Sequence, residues 1–244
     1  FPVHLKIDTG MNRLGFKTSE EIEWVSRLLE RNPQLHVQSV FSHLAASDDP
    51  SFDDFTREQM AAFEKLSSQL LSRMGYPVDR HILNSGGIER FSDSQFEMVR
   101  LGIGLYGVSC TGLPLQNISI LKSVVSQIKT VSPEETVGYS RAGKVGRKTT
   151  IAIVPLGYAD GLDRRLGNAH GCAFTGGKRV PIIGNICMDM CMIDVTEVPV
   201  KAGDEVEFFG NHIPVTEVAA TAGTIPYEIL TGISQRVKRI YIQE

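Results

Sequence analysis

The fold is decided first by one stretch near the start of the chain, Val-His-Leu-Lys-Ile-Asp-Thr-Gly-Met-Asn-Arg-Leu-Gly-Phe, residues 3–16. Val3 to Asp8 form a short apolar run that predicts a buried strand, and the glycines after it predict a tight loop. Lys6, Asp8 and Arg13 would then stand at the end of that strand. The chain also begins with Phe1 and not with Met, so we expect a further segment to precede it.

The composition of the chain excludes only a few classes of fold and partner. The chain has 244 residues, 42% of them hydrophobic and 22% charged, which is enough for one large or two ordinary domains. A net charge of −3 gives no reason to expect nucleic acid or an anionic membrane as a partner. No apolar run is as long as a membrane span. The cysteines are too few and too scattered for a disulfide scaffold and favour a reducing cytoplasm, and they are Cys110, Cys172, Cys187 and Cys191.

The first half of the chain alternates strands and helices. Thr18 and Glu21 form a capping-box pattern that predicts a helix start, and a second amphipathic helix follows Ser51. The predicted strands are residues 3–8, 35–43, 81–84 and 98–102. Such alternation indicates a parallel sheet, either a small open α/β unit or half of a (β/α)₈ barrel. In the half-barrel case the four strands would be parallel neighbours whose open edges need a cover.

After residue 112 the predicted secondary structure changes from alternating strands and helices to mostly strands and turns. Its predicted strands are residues 149–155, 180–183, 186–195, 205–209 and 237–242, separated by glycine turns, with a single clear helix at 216–222. We therefore divide the chain into a partial barrel, residues 1–112, and a mostly β domain, residues 113–244.

Polar residues recur at the predicted ends of the first-half strands, namely Lys6, His43, Ser85 and Arg100. In parallel barrels these ends carry the chemistry. Cys187, Asp189 and Cys191 could share a strand face, but a tetrahedral metal set would need a further nearby ligand, so we interpret them as packing residues. Neither a P-loop nor a nucleophile elbow is visible.

Eight motifs in order resemble the alanine racemases of the fold-type III pyridoxal 5′-phosphate (PLP) enzymes. They occupy residues 6–16, 41–45, 84–87, 99–107, 137–139, 155–161, 184–189 and 225–228. The resemblance spans almost the whole chain. It implies barrel strands five to eight followed by the β domain, PLP-dependent interconversion of L- and D-alanine for peptidoglycan, and a cytoplasmic bacterial homodimer.

The resemblance also implies roles for individual residues. Arg100 would donate to the pyridine nitrogen of PLP, and His43 would lie beside the ring. Arg13 would bind the phenolic oxygen of PLP and the substrate carboxylate, with Met188 also near the substrate. The phosphate cradle would comprise Ser85, Gly102, Ile103 and Tyr227. PLP stabilises the carbanion, so the protein has to hold and orient it.

Racemisation needs two bases, one on each face of Cα. By resemblance Tyr139 is one of them and acts in trans from the partner subunit. The other would be the lysine that forms the Schiff base with PLP, in a Val-x-Lys-x-x-Ala-Tyr-Gly motif. None of the lysines in this chain stands in that motif. We therefore expect the 244-residue chain alone to be inactive, and we expect the residues that precede Phe1 to supply this lysine.

The modification of one residue, one further departure from the family pattern and two competing functions are left open by the sequence. Lys6 matches a lysine that is carbamylated in several relatives, which would turn a cation beside Arg13 into an anion able to orient it. Asn185 replaces an arginine found in some relatives near the substrate entrance. The competing functions are a serine racemase or another fold-type III PLP enzyme, and a non-catalytic assembly module carried on a vestigial half-barrel.

Overall fold

The structure, a computed structural model, describes residues 1–242. The chain divides into two compact units, Phe1–Gln116 and the part from Asn117 onward. The sequence-based boundary at 112/113 lies four residues earlier. Within residues 1–242 no helix is long and apolar enough to cross a bilayer.

The first unit is a parallel sheet covered by helices. Its elements, in chain order, are β1 (Pro2–Lys6), α1 (Ser19–Arg31), β2 (His36–Phe41), α2 (Asp53–Leu71), β3 (Asp79–His81) and α3 (Ser85–Arg90). The strands are parallel in the order β1-β2-β3, as the alternating pattern predicts. The core lies between this sheet and the helices, with Ile7, Val40, Phe63 and Ile82 fully buried.

The start of α1 forms as the capping pattern predicts. The Thr18 side chain accepts a hydrogen bond from the Glu21 backbone N–H, and the Glu21 carboxylate accepts one from the Thr18 backbone N–H. These two bonds satisfy N–H groups that a helix start otherwise leaves unpaired. The helix ends at Arg31, and Asn32 caps it before Pro33.

The prediction of a fourth strand at residues 98–102 is wrong. Met98 N donates to Arg80 O (3.2 Å) and Arg100 N to Leu83 O (3.0 Å), so the segment does follow the chain that leaves β3. These two bonds do not make a regular ladder, and at Gly102 the backbone turns into a 3₁₀ helix, Ile103–Tyr106. The described sheet of this unit therefore has three strands.

The second unit is mostly β. Its strands are β4 (Leu121–Val124), β5 (Gln127–Val131), β6 (Thr136–Val137), β7 (Gly143–Lys144), β8 (Thr149–Val154), β9 (Cys172–Thr175), β10 (Lys178–Pro181), β11 (Cys191–Asp194) and β12 (Glu205–Phe209). The sheet orders are β10-β9-β12-β4, β11-β8-β5 and β6-β7, and every pairing is antiparallel. Its helices are α4 (Val215–Ala222) and α5 (Pro226–Gly232).

Several sequence-based elements of this unit were wrong. The predicted strand at 237–242 does not form, because among the described residues these have no ladder partner, and Ile240, Tyr241 and Ile242 are exposed. The predicted strand at 186–195 is confined to β11, since residues 186–190 form a loop. Helix α5 was missed, although Pro226 occupies its first turn, where proline is favoured.

The loop after β1 folds back onto its own strand. Phe16 N donates to Lys6 O (3.0 Å) and Asp8 N donates to Phe16 O (2.8 Å), which forms a parallel bridge between Ile7 and Phe16. Gly15 lies at the closest approach with φ +123°. A Cβ there would lie 2.8 Å from both Asp8 N and Lys6 O. Only glycine combines this backbone angle with this proximity.

We therefore predict that Gly15→Ala strongly destabilises the first unit, by more than a typical surface substitution, because backbone atoms cannot move aside cheaply. Gly75→Ala is the matched control, since its Cβ would meet nothing within 4 Å and its φ is not positive. Urea unfolding of both variants measures the difference. Equal unfolding midpoints would contradict the role of this close approach.

Candidate active site

The carboxyl ends of the parallel strands bring together predicted site residues of the first unit. Lys6 is the last residue of β1, His43 follows the end of β2, and His81 ends β3. The register pairs Lys6 with Phe41 and Phe41 with His81, so these side chains share one face of the sheet. The rings of Phe41 and His81 stack with centroids 5.3 Å apart.

Arg100 places its guanidinium among acceptors from the ends of β2 and β3. Nη2 donates to Ser42 O (2.5 Å), to Ile82 O (3.3 Å) and to His43 Nδ1 (3.3 Å). Nη1 donates to His81 O (3.2 Å) and makes a short hydrogen bond to His81 Nδ1. The guanidinium is thus held by carbonyl dipoles and imidazole nitrogens.

This guanidinium has no carboxylate partner among residues 1–242, since every ion pair that the described residues form lies elsewhere. Burial lowers the pKa of Arg100, but an arginine keeps its proton in proteins. A partly buried cation that only dipoles compensate favours a ligand with a lone pair or a negative charge.

The positive charges around Arg100 also favour a negatively charged ligand. Burial lowers the pKa of Lys6, and the positive charge of Arg13 lowers it further, although Asp8 opposes the shift. Burial lowers the pKa of His43 as well, followed by the charges of Arg100, Arg13 and Lys6. The Lys6 Nζ lies 6.0 Å from the centroid of the Phe41 ring, and the Arg100 Cζ lies 5.5 Å from it. The carboxyl ends of the strands therefore form a positively charged, partly buried surface.

His81 was missed by the sequence analysis as a site residue. It is buried, contacts Arg100 directly and has a pKa lowered to about 4, first by burial and then by the charge of Arg100. Its position in the predicted strand 81–84, four residues before Ser85, was the available signal. A single histidine in an apolar run is ordinarily a packing residue, so this signal was weak.

The loop that carries Arg13 is held by Asp8. The Oδ1 of Asp8 accepts hydrogen bonds from Gly10 N and Asn12 N, both at 3.0 Å. Burial acts to raise the pKa of Asp8, but these bonds outweigh it and lower the pKa. Asn12 has φ +54°, and its side chain accepts from Lys17 Nζ at 2.7 Å. Arg13 itself is exposed at the tip.

Ser85 joins the start of α3 to the segment that follows Arg100. Its buried hydroxyl accepts hydrogen bonds from Gly102 N (2.9 Å) and Gly104 N (3.3 Å). Asn84 caps the helix by accepting from Gly87 N at 2.9 Å. Ile103 lies between the two glycines. Three of the predicted cradle residues, Ser85, Gly102 and Ile103, are therefore adjacent, and the Ser85 O–H is a donor in the same place.

In the second unit, Tyr139 stands on a strained turn. It follows Gly138 (φ +76°) and precedes Ser140 (φ +59°) and Arg141 (φ +52°). A non-glycine residue with a positive φ costs free energy, and such a conformation persists where surrounding contacts fix it. Asn185 supplies one such contact, because its Nδ2 donates to Tyr139 O at 3.0 Å. Tyr139 is 68% exposed and borders a cavity of about 630 Å³.

The loop that carries Met188 is fixed by the 3₁₀ helix Tyr158–Asp160. Tyr158 N donates to Cys187 O and Ala159 N to Met188 O, both at 3.0 Å. A Cβ on Gly157 would lie 2.3 Å from Met188 O, so only glycine allows this approach. Met188 itself is 54% exposed.

Other predicted residues of this unit are placed more simply. Tyr227 lies in the first turn of α5, and its backbone carbonyl accepts from Thr231 Oγ1 at 2.7 Å. Cys191 is fully buried, and burial raises the pKa of its thiol. Among residues 1–242 no group of three potential metal ligands converges.

Comparisons with known proteins agree with one another. The family model "Alanine racemase, N-terminal domain" matches residues 1–110, and "Alanine racemase, C-terminal domain" matches residues 118–241. Alanine racemase of Sorangium cellulosum is 39% identical over 98% of the chain, and alanine racemase 2 of Caldanaerobacter subterraneus is 40% identical over 98%. The chain spans 65% and 64% of their lengths.

Solved structures give the same result. Alanine racemase from Bartonella henselae, with covalently bound pyridoxal phosphate, is 36% identical with a TM-score of 0.88. Alanine racemase from Bacillus anthracis, with bound L-Ala-P, is 34% identical with a TM-score of 0.91. Each match covers 99% of this chain, and 67% and 64% of the respective solved chains.

The environment of His81 leads to a prediction. With a pKa near 4 in the folded chain and an unperturbed value of 6.5, unfolded chains take up the proton first as the pH falls. The contribution of His81 to the free energy of unfolding should be complete above pH 6.5 and decline down to about pH 4. Histidine NMR titration measures this directly. A His81 titration near 6.5 would show that burial and Arg100 do not act as described.

Proposed function

The chain belongs to the alanine racemase family, and from this premise we propose that it acts in the PLP-dependent interconversion of L- and D-alanine. The observation that carries the proposal is the guanidinium of Arg100, partly buried without a carboxylate partner in the described residues and surrounded by further cationic groups. A planar, anionic cofactor with an aromatic nitrogen acceptor fits that environment.

The residues of the first unit fit PLP at both of its ends. At one end, Arg100 would donate to the pyridine nitrogen. Because it cannot release its own proton, it would leave that nitrogen unprotonated. At the other end, the Ser85 hydroxyl and the backbone of Gly102 and Ile103 would hold the phosphate. When bound, PLP supplies the electron sink that makes the Cα proton of alanine removable.

The remaining predicted residues would orient the substrate and move its proton. Arg13 would hold the substrate carboxylate, with His43 beside the cofactor ring and Tyr227 adding a hydroxyl to the phosphate site. Tyr139 would exchange a proton with one face of Cα through its phenolic oxygen. Met188 would border the substrate on the same side as Tyr139. A carbamylated Lys6 would be an anion that orients Arg13.

The architecture and surroundings of the protein are proposed on the same basis. The three parallel strands would be consecutive strands in the second half of a (β/α)₈ barrel, with the irregular segment at 98–102 following them. We place the protein in the cytoplasm, where its four unpaired cysteines would stay reduced, and D-alanine would serve peptidoglycan synthesis. We place it in a homodimer in which Tyr139 serves the partner's site, since that residue is largely exposed on its own unit.

One experiment tests the activity. The 244-residue chain is compared with a chimera in which the residues before the matched region of the Caldanaerobacter relative are joined to Phe1. We predict that the chimera racemises alanine and the chain alone does not. In the chimera, Tyr139→Phe should slow proton transfer at the face of Cα that Tyr139 serves, by about 10²–10⁴-fold. Tyr241→Phe is the control, because Tyr241 is 88% exposed.

The same experiment separates the alternatives. A chimera more active on serine than on alanine would favour a serine racemase. A folded chimera that binds PLP but acts on neither would favour another fold-type III enzyme. One that does not bind PLP would favour an assembly module.

Subunit mixing tests the dimer. Tyr139→Phe and Arg100→Gln chimeras should each be nearly inactive. If Tyr139 acts in trans, dissociating and reassociating an equal mixture should restore about a quarter of the unmutated activity, because half of the dimers then contain one intact site. Native mass spectrometry of the mixture measures the exchange, because the heterodimer differs in mass from both homodimers. No recovery despite complete exchange would place Tyr139 in its own subunit's site.

A further inference from the structure

A chain of hydrogen bonds leads away from Arg100 to the surface of the first unit. From His81, Nε2 lies 3.0 Å from the hydroxyl of Ser39, and that hydroxyl lies 2.7 Å from His4 Nδ1. His81 and Ser39 are buried, whereas His4 is exposed. The sheet register explains the arrangement, because His4 of β1 pairs with Ser39 of β2 one layer below the pair of Lys6 and Phe41.

Only one direction for each bond lets every donor in this chain meet an acceptor. A guanidinium only donates, so the bond from Arg100 forms when His81 Nδ1 accepts and the single proton of the ring lies on Nε2. That N–H donates to the Ser39 oxygen. The hydroxyl hydrogen of Ser39 is then directed to His4 Nδ1, which accepts it. Reversing any one bond would set two donors against each other or leave the buried hydroxyl hydrogen without an acceptor.

We propose that Ser39 and His4 are positioning residues that hold His81 in its Nε2–H tautomer and so keep the guanidinium of Arg100 in place. The part of this inference that concerns the cofactor rests on the proposed function, since it matters for PLP only if Arg100 contacts it. The tautomer itself is a property of the folded chain.

Packing leaves the His81 ring little freedom to escape this constraint. Phe41 stacks on it with an interplanar angle of 8°. A ring flip would exchange the two nitrogens and break the bonds to both Arg100 and Ser39. His81 therefore adapts to a lost partner mainly by moving its proton from Nε2 to Nδ1, which turns a donor toward Arg100.

The experiment uses three variants of the ¹⁵N-histidine-labelled chain. His4→Leu removes the acceptor, whereas His4→Asn keeps an oxygen close to the position of Nδ1. His36→Leu is the control, because His36 is also exposed on the neighbouring strand but stacks on Tyr76, outside this chain of bonds. Long-range ¹H–¹⁵N spectra at neutral pH report the tautomer of His81.

We expect the Nε2–H tautomer of His81 in the unmutated chain, in His4→Asn and in His36→Leu. In His4→Leu the ratio of Nε2–H to Nδ1–H should fall roughly 2- to 10-fold, the effect of one lost hydrogen bond. In the active chimera, His4→Leu should lower kcat and His4→Asn should restore it. Urea unfolding shows whether all variants remain folded.

Two outcomes would overturn the proposal. One is an Nδ1–H or a protonated His81 in the unmutated chain at neutral pH. The other is identical His81 spectra for folded His4→Leu and His4→Asn. The proposed function fails separately, because a chimera without PLP binding would refute the racemase assignment while leaving the tautomer result standing.

Discussion

The site of the first unit depends on the way a partly buried arginine is held without a carboxylate. Taking a cation out of water is costly unless other groups replace its hydration. For Arg100 the replacement is supplied by the carbonyls of Ser42, His81 and Ile82 and by two imidazole rings. These acceptors come from the ends of two strands, so the guanidinium ties β2, β3 and the segment after them together.

That constraint sets the protonation of its neighbours. Both histidines that face Arg100 have lowered pKa values, because burial and the nearby positive charge disfavour imidazolium. Neutral imidazoles can accept from the guanidinium, whereas protonated ones would repel it. The positive potential and the ordered acceptors thus reinforce each other, and an anionic ligand would be attracted to a surface that is already arranged.

A second constraint acts through glycine. Gly15 lets the Arg13 loop close onto β1, and Gly157 lets the Tyr158–Asp160 turn touch the backbone of the Met188 loop. In each case the side chain of functional interest is exposed, while the backbone beneath it is held tightly. Rigid support under an exposed side chain is what a binding site needs, because it lowers the entropy lost when a ligand is bound.

The sequence by itself determined features that depend on neighbouring residues and on the order of the secondary-structure elements. The Thr18 and Glu21 capping box follows from a short-range pattern, and the parallel order of β1 to β3 follows from the alternation of strands and helices. The grouping of Ser85 with Gly102 was implied only by the family resemblance. Tertiary contacts decided the rest. The segment at 98–102 is not a strand, because its two backbone bonds to the chain around β3 do not make a ladder. Residues 237–242 have strand-like composition but no described neighbour to pair with. The place of His81 depended on a contact between residues nineteen positions apart. A histidine in an apolar run reveals its partner only when the strands are assembled, because the field of Arg100 exists only in the folded chain.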